Sequence, residues 1–140
     1  MELASKYKEF CESLHLAVAD FETAMHADFS KYDAQEIDWI KNAQIQKFEF
    51  CIELLWKTAK VYLESIDERI YTPKLSIKSL FLLKIIDEEN YLKLMNCIVD
   101  RNHLSHIYKF EMFEMIQQEL PKHLSAIKET AFVLGKLEIS

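Results

Sequence analysis

One glycine and two prolines in 140 residues leave this chain almost without the residues that turn or break a backbone. Sheets joined by tight turns draw on both, so their scarcity points away from β architecture and toward long helices. Long hydrophobic runs are missing too. The most apolar short stretch, Leu80 to Ile86, falls far short of the roughly 20 residues that cross a bilayer, and no N-terminal signal pattern is present. The three cysteines, Cys11, Cys51 and Cys97, are odd in number and widely spaced, with no CxxC pair. They read as reduced thiols, which makes the cytoplasm the expected compartment. Positive charge is also short: 17 basic against 23 acidic residues, a net −6. This argues against a surface that coats nucleic acid and leaves room only for a small local basic site. A glycine-rich phosphate loop and a paired-aspartate polymerase signature are both absent, so any nucleotide transfer involving this chain is expected to be catalysed by another.

What is present is helical periodicity. Half the residues are hydrophobic and 29% are charged, the profile of one globular domain over 1–140 with a core of its own. Leu3, Tyr7, Phe10, Leu14, Ala17, Phe21 and Ala24 recur at alternating four- and three-residue steps, a bundle seam. A second helix is predicted from Asp33 to about Glu64 on the seam Ile45, Phe48, Ile52, Leu55, Ala59, Tyr62. Phe50, Leu54 and Trp56 fall off that stripe, so this helix should be central or face a second chain. Residues 65–71 read as a connection. Thr72-Pro73 supplies an N-cap and a first-turn proline for a shorter helix from Lys74 to about Ile86. Asp87 caps the next, with Glu88 and Glu89 placed favourably against the helix dipole. The last helix should run from about Lys109 into the 130s, with a kink or break at Pro121. Five helices and no strands make an all-α bundle.

The fourth helix carries the chemistry. Tyr91, Leu94, Ile98, Arg101, Ser105 and Tyr108 share one face, which begins apolar and ends polar without changing register. Its polar end should be partly buried or at an interface, where each unsatisfied group would cost about 1–3 kcal/mol. Asn102 and His106 share the adjacent face. Arg101 and His106 are five residues apart, about 140° around a regular helix, and would meet only on a common ligand in a wide cleft or where the helix loosens. An arginine fork and an imidazole suit a phosphodiester. The guanidinium gives fixed charge and paired hydrogen bonds, and the histidine moves a proton near neutral pH. Together they could cleave RNA without a metal or other cofactor, using the 2′-hydroxyl as nucleophile. The plainer alternative is a helix end whose polar side chains cap carbonyls and pair with carboxylates. A zinc site from Cys97, Asp100, His103 and His106 is a weaker reading, because these residues flank rather than face one point. His15, His26 and His123 stand isolated and read as surface or satisfied positions.

Two blocks in this order, Ile45–Lys57 (IQKFEFCIELLWK) and Asp100-Arg101-Asn102-x-x-Ser105-His106-x-Tyr108, resemble the HEPN-domain proteins of the nucleotidyltransferase substrate-binding type. The resemblance covers roughly residues 6–134. It implies an antiparallel four- or five-helix bundle and a homodimer in which two Arg-x4-His motifs line one cleft. It also implies a separate minimal nucleotidyltransferase partner encoded nearby. In toxin–antitoxin members the helical protein is a ribonuclease that its partner silences by modifying the tyrosine two residues after the motif histidine. Carried over by position, Arg101 binds the phosphate, His106 is the acid/base, Asn102 and Ser105 support them, and Tyr108 is the modified residue. RNA is then the substrate. Other members serve as non-catalytic substrate- or nucleotide-binding subunits, and that role stays open here.

Overall fold

Three of the helices start where a side chain satisfies the first free amides. The computed structural model describes residues 2–106 and 110–140, with His106 described by its backbone alone. Among these residues are helices α1 (Glu2–Met25), α2 (Ala34–Ser65), α3 (Pro73–Leu82), α4 (Glu88–His106) and α5 (Phe110–Lys136), with a short 3-10 turn at Phe29–Lys31 and no strand. Asp33 opens α2 with a full capping box: its carboxylate accepts from the Glu36 amide, and Glu36 accepts from the Asp33 amide. Thr72 caps α3 ahead of Pro73. Asp87 caps α4 by accepting from the Asn90 amide over 2.8 Å. All three starts match the sequence signals.

Helix α2 ends within a residue of the predicted Glu64, whereas α3 ends early. Helix α3 stops at Leu82, four residues before the predicted Ile86. Lys84 turns left-handed there (φ 62°), its amide donating to Phe81 and that of Ile85 to Leu80. Helix α2 ends in the same way at Asp67 (φ 64°), with Asp67 and Glu68 donating back to Glu64 and Leu63. These are Schellman closures, which usually use glycine. Lysine and aspartate carry them here, so the composition hid them. Helix α5 continues through Pro121 without a break, one of the two outcomes expected there. The missing N–H costs one backbone bond, but the ring sits on the solvent side. The buried seam of Phe113, Ile116, Leu120, Ile127 and Leu134 holds both halves against the bundle.

Helix α2 touches each of the other four, as its excess apolar residues predicted, while α5 packs on α1, α2 and α4. Phe21, Phe48, Leu55, Leu80, Leu94 and Leu120 are fully buried in one cluster, each contributing about 1.5–3 kcal/mol. Polar ties fix the register. Asn90 on α4 donates to Thr130 on α5, and Gln44 on α2 donates to the Ala24 carbonyl at the end of α1 over 2.9 Å. No helix among the described residues is long and apolar enough to cross a membrane.

Candidate functional site

The face predicted along α4 changes character as the spacing implies. Leu94 and Ile98 are buried, Arg101 is half-buried and Ser105 exposed. The buried part fixes the azimuth of the helix, so Arg101 emerges at a set point beside α2. Its guanidinium is gripped from two directions. Nη1 donates to the Ser105 hydroxyl at 3.2 Å, and that hydroxyl in turn donates to the Arg101 carbonyl one turn back. Nη2 lies 3.3 Å from Glu53 Oε2 on α2. Nε is buried and has no partner among the described residues.

Glu53 is the centre of this contact. Its Oε2 also accepts from the Trp56 indole N–H at 3.1 Å, and its Oε1 pairs with Lys57 at 3.3 Å. One turn earlier, burial pushes the Glu49 carboxyl above the usual carboxylate range, while the charge of Arg101 partly opposes that rise. The arginine therefore stands in an acidic neighbourhood relieved by a single lysine.

The residue before it does something different. Asp100 points to α5, where His123 Nε2 donates to Asp100 Oδ2 over 2.6 Å. His123 is only 3% exposed, and its ring stacks on Phe48 of α2 with centroids 5.0 Å apart. This histidine, isolated in the sequence, thus joins three helices next to the motif. Asp100 and His103 also line a cleft of about 430 Å³ toward α5, with Glu111, Met112, Met115 and Glu119. That side is acidic, so an anionic ligand is better received on the α2 side, where Lys57 lies.

Of the other expected site residues, Asn102 is half-buried on α4. The backbone of His106 completes α4, whereas Tyr108 lies outside the described residues. The zinc reading loses two of its ligands. Cys97 is fully buried within the apolar core cluster, away from the exposed His103. Asp100 is engaged by His123. Glu53, Trp56 and Lys57 were visible in sequence only as part of the first resemblance block. Their i,i+4 spacing shows the Glu53–Lys57 pair, but nothing local points 48 residues ahead to Arg101.

Comparison with known proteins agrees with this architecture. The sequence model of the family described as "Nucleotidyltransferase substrate binding protein like" matches residues 9–134. A crystal structure of a protein from Thermus thermophilus is similar with a TM-score of 0.73 and 21% identity, over 86% of this chain and 98% of that one. That likeness speaks for the fold. No curated protein is significantly similar in sequence.

Proposed function

Because the chain belongs to the nucleotidyltransferase substrate binding protein-like family, we propose that it is the helical partner of a separate small nucleotidyltransferase, and that it acts as a metal-independent ribonuclease through Arg101 and His106. The observation that carries this reading is the held but accessible guanidinium of Arg101, tied to Ser105 on its own helix and paired exchangeably with Glu53, with about a third of its side chain open to solvent. A fixed fork of this kind is what the charge developing on a phosphodiester in flight requires. In the proposed reaction His106 takes the proton of the 2′-hydroxyl and the 2′-oxygen bonds to phosphorus. The bond to the 5′-oxygen breaks and that oxygen is protonated, leaving a 2′,3′-cyclic phosphate. A homodimer would bring two such motifs to one cleft. Modification of Tyr108 by the partner, two residues beyond His106, would block that cleft with an added anionic group.

The test is the growth of cells expressing the intact chain beside cells expressing His106→Ala. Arrest with the first and growth with the second is expected, since removing a general acid/base costs about 10²–10⁴-fold in rate. Equal growth with soluble protein in both would overturn the ribonuclease. A second reading, a non-catalytic subunit that positions substrate for the nucleotidyltransferase, is favoured by one observation: the carboxylates Glu49 and Glu53 that crowd Arg101. It predicts a stable complex with the neighbouring gene product, and failure of the purified pair to co-elute would count against it.

A further inference from the structure

We propose that Glu53 is the internal occupant of an anion cradle built by Arg101, Lys57 and the Trp56 indole, that a phosphate group displaces it on binding, and that Lys57 thereby becomes a second phosphate contact. The inference rests on the reading of Arg101 as a phosphate ligand and adds the rest of its site. Its first support is stoichiometric. Three donors converge on two oxygens, with Oε2 shared between Trp56 at 3.1 Å and Arg101 at 3.3 Å, and Oε1 taken by Lys57 at 3.3 Å. A tetrahedral phosphate offers each donor an oxygen of its own and has one left for the Nε of Arg101, which has no hydrogen-bond partner among the described residues.

The second support is that the carboxylate is loosely held. Charge-assisted contacts in a settled ion pair run at about 2.7–2.9 Å, and both pairs here are longer. All three charged side chains are about a third to a half exposed, so the pairing is screened and adds little stability. Displacement therefore gives up a weak interaction. The third support is the direction of the neighbouring carboxylate. Asp100 is turned away to His123 and so leaves the approach to Arg101 from α2 free of its charge.

Fluorescence tests this directly. The chain has two tryptophans, Trp39 and Trp56, so a Trp39→Phe background makes Trp56 the sole reporter of whether its indole still contacts Glu53. The probes are inorganic phosphate and a short single-stranded DNA, which lacks the attacking hydroxyl, with chloride at equal ionic strength as control. Saturable change of Trp56 emission with both probes is expected. Glu53→Gln should bind them at least about five-fold tighter, the scale of losing one exposed competing pair. Lys57→Gln should bind several-fold more weakly, with Lys57→Arg restoring affinity. Equal or weaker binding by a folded Glu53→Gln would overturn the proposal, because Glu53 would then be positioning Arg101 rather than occupying its site. If that variant does not fold, the titration with native Glu53 decides, and unchanged emission in phosphate overturns it. No RNA cleavage enters this assay. Phosphate binding without growth arrest would sink the ribonuclease alone, and arrest without displacement would sink the cradle alone.

Discussion

Asp100 and Arg101 are neighbours in sequence, yet they enter two contacts of opposite character. Asp100 reaches α5, where the buried His123 meets it at 2.6 Å over a phenylalanine ring. Arg101 reaches α2, where the half-exposed Glu53 meets it at 3.3 Å and is shared with two other donors. The first is short, mostly buried and singly occupied; the second is long, wet and oversubscribed. Burial decides which charge is structural and which is available to a ligand. A pair withdrawn from water is strongly destabilising to break, whereas a pair left in water is weak and exchangeable. One helix turn thus carries both an anchor and an open contact.

The largest expected effect breaks the anchor. His123→Ala should lower stability by about 2–4 kcal/mol, combining a stranded Asp100 with a void beside Phe48, as read by denaturant unfolding. Loss under about 1 kcal/mol would show that the two pairs are alike after all. Arg101→Ala sharpens the contrast from the other side. It should change stability by no more than about 1 kcal/mol, while abolishing phosphate binding and growth arrest. A smaller effect lies in Glu49. Because burial raises its folded-state pKa, its contribution to stability is present in acid and is lost as pH rises through that raised value. Glu49→Gln should therefore melt higher than the native chain at pH 7. The gain should vanish as pH falls below about 4, the ordinary glutamate range. A gain that persists in acid would point to packing instead. The smallest is Lys84→Gly, far from both pairs. It should stabilise by about 0.5–1 kcal/mol by removing a left-handed side chain, and a loss in thermal denaturation would contradict that account.

The helices were legible because their signals are local. Asp33, Thr72 and Asp87 each sit where a capping residue is read directly from the sequence, and the seams of α1, α2 and α5 repeat at helical spacing into the observed core. The end of α2 was read within a residue, whereas the early end of α3 was not legible, since Lys84 does a task usually marked by glycine. That α5 runs unbroken through Pro121 was not legible, because a proline's effect depends on which side of the helix it faces, and facing is a tertiary property. In the site, Arg101 and Ser105 could be placed on one face from spacing alone. Glu53 and His123 could not, because their partners lie 48 and 23 residues away, and only the packing of α2 and α5 on α4 brings them together.

The stacking of His123 on Phe48 has a consequence for spectroscopy. Its imidazole protons lie in the ring current of the phenyl group, while those of His15, His26 and His103 face solvent. In a proton spectrum His123 should stand apart, shifted upfield. That one resonance would report from inside the molecule whether α2, α4 and α5 still meet correctly, with no label attached.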